Sequence, residues 1–322
     1  MILTITLNPL LEKRFAFNNI NTGKVNRTDN EFFRAGGKGL NVSRQLNRFN
    51  MKNLALTFLG GNNGKVLRNI LASEQIEFSA VSTKSETRIA SVIEEHSQNR
   101  VTTVIGKNSV ISQKEADEFK SKLEKMINNA SVIVFSGSSP CQETDDIFEY
   151  GIELANKMDK VSILDTYGRH LEACIKKSPT VIHNNIEEIE KSFGKNLNDE
   201  KDKLEFLDYL YKNNIKLSFL TDGNRPAYAS KFDFRYKVEI PEIAFVDPIG
   251  SGDSFVAGLT YGMEKSMIFE DFLKFGIASG TANALNWETS NVTLEEVEKI
   301  VPEIKLTPVG KKMKLIDDTP VQ

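Results

Sequence analysis

A glycine-rich turn followed by an aspartate is the stretch of this chain best suited to chemistry. Residues 247–258 read Asp-Pro-Ile-Gly-Ser-Gly-Asp-Ser-Phe-Val-Ala-Gly, and a helix is predicted from Asp253 onward. Glycines let backbone amides lie bare beside a ligand, and the first turn of a helix offers unpaired N–H groups to phosphate. Asp253 could accept a proton from a hydroxyl that attacks that phosphate. The alternative is an ordinary loop in which an aspartate caps a helix.

The composition excludes several classes of protein. The 322 residues are 40% hydrophobic and 26% charged, as in a globular protein with one large domain. The net charge of −3 supplies no basic field, so we expect no nucleic-acid partner. Cys141 and Cys174 show no metal-binding spacing and suggest a reducing compartment. No signal-peptide pattern and no apolar stretch near the ~20 residues of a membrane span is present, so we expect a cytoplasmic protein without a membrane partner.

Strand and helix patterns predict the elements that would position the glycine-rich turn. Short apolar strands alternate with amphipathic helices, the strands lying at 132–135, 161–164, 180–182 and 217–220. This alternation predicts a mostly parallel sheet with helices on both faces. Two earlier segments, 9–34 and 87–106, read as hairpins and predict a small separate sheet. We expect the domain to span 1–306 and residues 307–322 to form a peripheral tail.

Small and polar residues follow several of the predicted strands. In open parallel sheets, ligands bind at the carboxyl ends of the strands. We therefore expect these residues to meet along one edge of the sheet: Gly137-Ser138, Asp165, Asn185, Thr221 to Gly223, and Gly250 to Asp253. The three histidines, His96, His170 and His183, are scattered, and we expect them to be surface or structural residues.

The chain resembles the ribokinase-like (PfkB) sugar kinases, and within them the branch of 1-phosphofructokinase and tagatose-6-phosphate kinase. The resemblance covers nearly the whole chain and is carried by residues 6–9, Gly36-Gly37-Lys38-Gly39-Leu40-Asn41-Val42, 86–88, 136–140, 164–166 and 248–254. It implies an α/β fold, a three-layer α/β/α sandwich with a mostly parallel sheet. It also implies a small β lid, formed by about 9–34 and 87–106, that closes over the sugar and often mediates homodimers.

The resemblance also implies an ATP- and Mg²⁺-dependent kinase that acts on a ketose phosphate. Asp253 would deprotonate the sugar hydroxyl, and the amides of Gly250, Ser251 and Gly252 would form an anion hole. The implied sugar-phosphate residues are Glu12, Gly36, Gly37, Lys38, Asn41, Arg88 and Ser138, with Lys38 and Arg88 on the phosphate. The implied nucleotide residues are Asn185, Thr221, Gly223, Gly252 and Asn283. Glu188 and Asn185 would order Mg²⁺ through water.

Among the residues that depart from the pattern of that branch, three leave the substrate open. Glu12 stands where an aspartate is usual, His183 where a lysine is usual, and Asp222 within the segment that usually reads Ser-Leu-Gly. The last two changes would make the nucleotide side more negative. Fructose 1-phosphate is the expected substrate, with tagatose 6-phosphate or fructose 6-phosphate as alternatives. A catalytically weakened sugar- or nucleotide-binding regulatory protein is the alternative of another class.

Several implied site residues also have a purely structural interpretation. Arg88 could be a solvated strand arginine, and Lys38 a lysine at the start of a helix. Glu188 lies in an acidic segment and could be an ordinary surface residue. Asn283 could be a capping or core asparagine.

Overall fold

The computed structural model describes residues 1–310, which form two β-sheets with α-helices packed around the larger one. The strands are β1 (Ile2–Thr6), β2 (Leu10–Phe17), β3 (Glu31–Gly36), β4 (Asn53–Gly60), β5 (Phe78–Thr83), β6 (Arg88–Glu95), β7 (Arg100–Ile105), β8 (Val132–Ser136), β9 (Val161–Asp165), β10 (Val181–Asn185), β11 (Leu217–Asp222), β12 (Arg225–Lys231), β13 (Phe234–Glu239) and β14 (Lys305–Val309). The helices are α1 (Lys38–Arg48), α2 (Gly61–Ser73), α3 (Gln113–Ile127), α4 (Asp146–Lys157), α5 (Leu171–Lys176), α6 (Ile186–Phe193), α7 (Glu200–Lys212), α8 (Ser251–Glu264), α9 (Phe269–Ala284) and α10 (Leu294–Ile300).

The larger sheet is mostly parallel and has helices on both faces, which confirms the predicted three-layer fold. Its strand order is β14-β13-β12-β11-β10-β9-β8-β1-β4-β5, and every pairing from β11 to β5 is parallel. Its central strands, such as β8, are buried along their whole length, as expected for strands covered on both faces. One apolar core lies against α3 to α7, a second lies against α1, α8, α9 and α10, and a smaller third lies against α2.

The sequence patterns predicted neither β5 nor the antiparallel strands β12 to β14. β12 contains Pro226, which weakens its strand signal, whereas β13 alternates apolar and charged residues along its whole length and was missed despite that pattern. β14 pairs with β13 through five residue pairs, which include Thr307, Pro308 and Val309. The boundary expected after residue 306 therefore falls inside a strand. Residues 311–322, the rest of the expected tail, lie outside the described residues.

The smaller sheet has the order β3-β2-β6-β7 and arises from two hairpins, as the sequence predicted. Strands β2 and β3 pair antiparallel, β6 and β7 pair antiparallel, and a parallel pairing of β2 with β6 joins them. Because side chains alternate along a strand, this sheet presents one face to the larger sheet and one face outward. None of the helices among residues 1–310 is long and apolar enough to cross a membrane.

Candidate active site

A turn and the start of α8 form the electropositive backbone element of the site; we call residues 247–252 the anion turn. Gly250 has φ +79°, and a Cβ there would collide with Thr289, so glycine is required. The N–H of Ser254 donates to the Gly250 carbonyl at 2.8 Å and closes the first turn of the helix. The turn lies at the carboxyl edge of the parallel sheet, where the strand-end rule predicts a ligand site.

The amides of the anion turn differ in their availability to a ligand. The N–H of Ser251 donates to the Pro248 carbonyl at 3.2 Å, so it is engaged within the turn and is not the free donor that the sequence predicted. Among residues 1–310, no backbone or side-chain acceptor faces the N–H groups of Gly250 and Gly252. These two amides, together with the positive end of α8, are therefore available to an anion.

Asp253 lies beside these amides and is 4% exposed. Its Oδ2 atom accepts a hydrogen bond of 2.7 Å from the Nδ2 atom of Asn41, on α1. Burial raises the pKa of Asp253 to about 7, Lys38 opposes that rise, and the charge of Asp165 adds to it. A carboxyl with such a pKa changes its protonation state near neutral pH, as a general base must.

Lys38 stands between two carboxylates at the floor of the site. Its Nζ atom lies 3.1 Å from Asp165 Oδ1 and 2.6 Å from Glu188 Oε1. Burial would lower the pKa of Lys38, but the charges of Asp165 and Glu188 raise it well above the ordinary value. Burial would likewise raise the pKa of Asp165, but Lys38 and His183 hold it well below the ordinary value. Lys38 is thus already ion-paired with two carboxylates that do not line the cavity.

His183 belongs to the same network, and its burial agrees with the structural role expected for it. Its buried ring contacts Asp165 Oδ1 through Nδ1 and Thr221 Oγ1 through Nε2, both at 3.0 Å. A Cβ on Gly252 would come within 3.3 Å of the His183 ring. The imidazole therefore lies directly beside the free amides of the anion turn. His170, by contrast, is buried away from the cavity against Thr166.

One cavity of about 1070 Å³ connects these groups. Of the residues predicted for the site, those that line it are Glu12, Gly37, Lys38, Asn41, Arg88, Ser138, Asn185, Thr221, Gly223, Gly250, Ser251, Gly252 and Asp253. Gly36, Glu188 and Asn283 do not line it. The cavity has two ends, one under the smaller sheet and one beside β11 and α6.

The end under the smaller sheet is polar. Arg88 donates to Asn108 Oδ1 at 3.0 Å and to the Asn8 carbonyl at 2.9 Å. Arg88 Nε and Asn8 Oδ1 are buried and have no partner among the described residues, although both side chains line the cavity. Buried polar atoms are normally hydrogen-bonded. These two atoms are therefore a donor and an acceptor available to a ligand, and Asn8 was not among the predicted site residues.

Glu12 and the glycines shape the same end of the cavity. Gly37 has φ +128°, and a Cβ there would come within 2.9 Å of Thr6 Cγ2, so the backbone approaches β1 closely. A Cβ on Gly36 would come within 2.6 Å of Glu12 Oε1. Gly36 therefore supports the Glu12 carboxylate, which faces the cavity, rather than a ligand directly.

The other end of the cavity is apolar with a polar rim. Its apolar wall comes from residues that the sequence analysis did not select: Ile186, Leu197, Ile240, Ile243, Phe245 and Ile277. Such a cleft suits a flat heteroaromatic ring. The three residues from 240 to 245 belong to a segment without strand or helix periodicity, so no sequence pattern marked them.

Asp222 was expected to make this end of the cavity more negative, but its charge is compensated. Its carboxylate is paired with Lys203 Nζ at 3.0 Å and with the Arg225 guanidinium at 2.8 Å. Lys203 approaches from α7, so the compensating charge comes from a distant part of the chain. The two cations neutralise the extra carboxylate at the rim.

Asn283 has a structural role. It is fully buried, its Oδ1 accepts from Ser254 Oγ and from the Ser290 N–H, and its Nδ2 donates to the Ile249 carbonyl and to Ser251 Oγ. All its hydrogen-bonding capacity is used within the protein. It therefore ties α9 to the anion turn and has no group free for a nucleotide.

Asn185 and Glu188 form a capping box at the start of α6. Asn185 Oδ1 accepts from the Glu188 N–H at 2.7 Å, and Glu188 Oε2 accepts from the Asn185 N–H at 3.1 Å. Within residues 1–310 no group of three or more acidic, histidine or cysteine side chains could hold a metal directly. Three carboxylates, on Asp165, Glu188 and Asp253, nevertheless surround the single ammonium of Lys38. This excess of negative charge fits a Mg²⁺ ion held through water, because Mg²⁺ keeps most of its own water ligands.

The chain matches known proteins over nearly its full length. Residues 3–296 match the family described as pfkB family carbohydrate kinase. A tagatose-6-phosphate kinase of Staphylococcus epidermidis is 34% identical over 312 residues, which are 96% of this chain and 100% of that protein. A 1-phosphofructokinase of Borreliella burgdorferi is 31% identical over 312 residues, 96% of this chain and 99% of that protein.

Solved structures agree with the fold. The crystal structure of a possible 1-phosphofructokinase from Thermotoga maritima superposes with a TM-score of 0.89 at 22% identity, covering 96% of this chain and 99% of that one. At this identity the likeness establishes the ribokinase-like fold, and the sequence matches establish the family.

Proposed function

Because the chain belongs to the pfkB family of carbohydrate kinases, we propose that it transfers a phosphoryl group from ATP to a hydroxyl of a ketose phosphate, giving the bisphosphate. The kinase is of the 1-phosphofructokinase and tagatose-6-phosphate kinase type. One observation supports the placement of the reaction centre at Asp253. Asp253 is hydrogen-bonded to Asn41 on the sugar side and lies beside the free amides of Gly250 and Gly252, all in one cavity.

The proposed step uses these groups in a balanced transfer. The substrate hydroxyl gives its proton to the Asp253 carboxylate, and its oxygen forms a bond to the γ-phosphorus of ATP. The bond from that phosphorus to the bridging oxygen breaks, and its electron pair leaves with ADP. The amides of Gly250 and Gly252 donate to the oxygens on which charge accumulates. Mg²⁺ bound with the nucleotide, and held through water by Asn185 and Glu188, would neutralise phosphate charge.

The two ends of the cavity support the assignment of the two substrates. The apolar cleft bounded by Ile243 and Phe245 suits the adenine, and Thr221 and Gly223 lie at its polar rim. The opposite end, with Arg88, Ser138 and Asn8, suits the sugar phosphate. Lys38 is paired with two carboxylates, so Arg88 is the better candidate for the phosphate already on the substrate. Because ATP and sugar phosphates are intracellular, we expect the enzyme to act in the cytoplasm.

Fructose 1-phosphate is our first choice of substrate, with tagatose 6-phosphate and fructose 6-phosphate as alternatives. A coupled ADP-release assay over these three compounds, fructose and a nucleoside separates the possibilities. Turnover of one ketose phosphate, and not of the unphosphorylated compounds, is the expected result. Turnover of neutral compounds only would remove the phosphate-binding role of Arg88.

Arg88→Met is expected to raise KM for the sugar phosphate about 10- to 100-fold, since a hydrogen bond to a charged group contributes about 1.5–3 kcal/mol. KM for ATP should change little, because Arg88 lies at the other end of the cavity. Arg100→Met is the matched control: Arg100 lies on the same small sheet, is largely exposed, and pairs with Glu95. Equal effects of the two substitutions would contradict the role of Arg88.

The dependence of kcat/KM on pH follows from the pKa of Asp253. This group must be ionised to accept a proton, and burial raises its pKa to about 7. We therefore expect kcat/KM to be level above pH 7 and to fall about tenfold per pH unit below it. The substrate phosphate titrates near pH 6. If kcat/KM instead begins to fall only below about pH 6, the titrating group is the substrate phosphate and not Asp253.

We also propose that the outward face of the small sheet binds the same face of a second copy. Phe33, Ile89 and Val104 are exposed apolar residues on this face. The strand pairing places Phe33 and Val104 at the two ends of one row, with Lys13 and Ser91 between them. An exposed apolar face is typical of an interface. Sedimentation should show a dimer that Val104→Glu converts to monomer. Val110→Glu, which changes a residue that is exposed outside the sheet, should leave the dimer intact.

A further inference from the structure

A fully buried arginine joins the small sheet to the anion turn. Arg14 lies on β2, and its side chain is 0% exposed. Its guanidinium reaches Asp247 Oδ2 at 3.3 Å and the Trp287 carbonyl at 3.2 Å, both in the larger part of the molecule. The same guanidinium lies 3.3 Å from Glu12 Oε2 and 3.1 Å from Glu94 Oε1, both on the small sheet. One side chain therefore holds groups from both sides of the cavity.

The contacts of Arg14 lead directly to the groups that bind ligands. Asp247 Oδ1 accepts a hydrogen bond of 2.8 Å from the Ile249 N–H, which sets the backbone just before Gly250. Glu12 itself lines the sugar end of the cavity. Arg14 is thus linked to the anion turn through Asp247 and to the sugar end of the cavity through Glu12.

A second contact reinforces the same connection. Arg34, on β3, donates to the Thr289 carbonyl. The Thr289 side chain packs so closely against Gly250 that a Cβ there would collide with it. The segment from Trp287 to Thr289, which supports the anion turn from below, is therefore held by two arginines of the small sheet.

The charges around Arg14 explain why an uncharged side chain at this position should disturb the structure. Glu12, Glu94 and Asp247 have side chains that are 12%, 5% and 1% exposed, and all three meet at this guanidinium. Without the arginine, three poorly solvated carboxylates would face one another. A buried charge that loses its partner is strongly destabilised, so each carboxylate would turn away or take up a proton. Turning away would move Asp247 from the Ile249 amide and Glu12 from the cavity wall, and protonation would weaken the hydrogen bond that Asp247 accepts from the Ile249 N–H.

We infer that Arg14 is a positioning residue that holds the anion turn and Glu12 in place. Through Arg14, the geometry of both depends on the position of the small sheet relative to the larger one. The expected effects on kcat and KM rest on the proposed kinase function. The expected effect on the structure of the anion turn does not. Arg14 does not line the cavity and acts only through Asp247, Glu12 and the 287–289 segment.

The test compares Arg14→Met with Arg235→Met. Arg235 is a matched control because it is also buried and paired with a carboxylate, Asp208, but lies on β13 away from the cavity. Amide hydrogen exchange of peptides covering 245–255 is measured without substrate, and kcat and both KM values are measured with it. We expect faster exchange in Arg14→Met alone, a kcat at least tenfold lower, and a higher KM for the sugar phosphate.

Two further variants separate positioning from general stability. Asp247→Asn added to Arg14→Met removes one unpaired charge and keeps an oxygen that accepts the Ile249 N–H. It should recover part of kcat and slow the exchange of 245–255. Arg14→Lys keeps the charge without the planar fork of donors. It provides the test if Arg14→Met does not fold, and we expect a smaller change of the same kind.

The outcomes distinguish this inference from the proposed function. If wild-type protein phosphorylates a ketose phosphate, and Arg14→Lys matches it in kcat, KM and exchange of 245–255, Arg14 is not a positioning residue. A loss of thermal stability in Arg14→Met with unchanged exchange and kcat would also overturn the inference. If wild-type protein phosphorylates none of the tested sugars, the proposed function fails, and the exchange comparison still decides the role of Arg14.

Discussion

Asp253→Asn is expected to lower kcat by about 10²–10⁴-fold, the usual contribution of a general base. Binding of ATP and of the sugar phosphate should persist within a few fold, because the amides of Gly250 and Gly252 and the side chain of Arg88 remain in place. The carbonyl oxygen of the introduced amide can still accept the hydrogen bond that Asn41 now donates to Asp253. Calorimetric binding together with steady-state kinetics measures both quantities on one protein.

The same substitution should stabilise the folded protein, and the gain should depend on pH. Burial raises the pKa of Asp253 to about 7 from an ordinary value of 3.8, so ionisation destabilises the folded state. That destabilisation is complete above pH 7, decreases as the pH falls, and vanishes below about pH 3.8. Tm of Asp253→Asn should exceed that of the wild type at pH 8, and the two values should converge towards pH 4.

Asp271→Asn is the matched control for both effects. Asp271 is the third residue of α9, as Asp253 is of α8, but its side chain is exposed. It should leave kcat unchanged and Tm nearly unchanged. A wild-type kcat in Asp253→Asn would favour the regulatory alternative, in which the fold binds ligands without transferring phosphate.

Lys38→Met is expected to lower both stability and turnover. Asp165 and Glu188 would lose the ammonium that lies 3.1 and 2.6 Å from them, and removing one partner of a buried ion pair typically costs about 3–5 kcal/mol. The charge of Lys38 also lowers the pKa of Asp253. In the variant that pKa should rise further, and the acid limb of kcat/KM should move to higher pH.

The control for this substitution has the same number of partners at the surface. Lys177 lies 3.2 Å from Glu149 and 3.1 Å from Glu153, but these carboxylates are 33% and 43% exposed, whereas the two partners of Lys38 are 0% and 11% exposed. Lys177→Met should cost about 1 kcal/mol or less and leave the pH profile unchanged. Chemical denaturation and a pH–rate series test both variants. A pH limb unmoved in Lys38→Met would show that Lys38 does not influence the base.

The residues of the anion turn illustrate how far local sequence patterns reach. The glycine turn, the helix start and the aspartate are adjacent in the chain, so their arrangement follows from backbone rules that act over a few residues. Even there, the patterns did not reveal that the Ser251 amide is used by Pro248. That detail depends on how the turn closes and not on which residues it contains.

Residues distant in the chain were predicted correctly as neighbours but not as partners. Lys38 was expected to bind phosphate, and its spacing did not predict that it pairs with Asp165 and Glu188. Asp222 was expected to add negative charge, but Lys203 neutralises it. Hydrogen-bond and ion-pair partners depend on side-chain directions in three dimensions, which a one-dimensional spacing does not contain.

Local patterns in the chain were sufficient to predict the alternation of strands and helices, the two hairpins, and the strand ends at which ligand-binding residues gather. These features follow from apolar periodicity and from glycine and proline, which act locally. Only the folded arrangement showed that Asn283 is a core residue, that His183 lies beside the anion turn, and that Arg14 joins the two sheets. Each of these outcomes requires contacts between segments that are far apart in the chain, because burial and charge compensation are properties of the packed molecule.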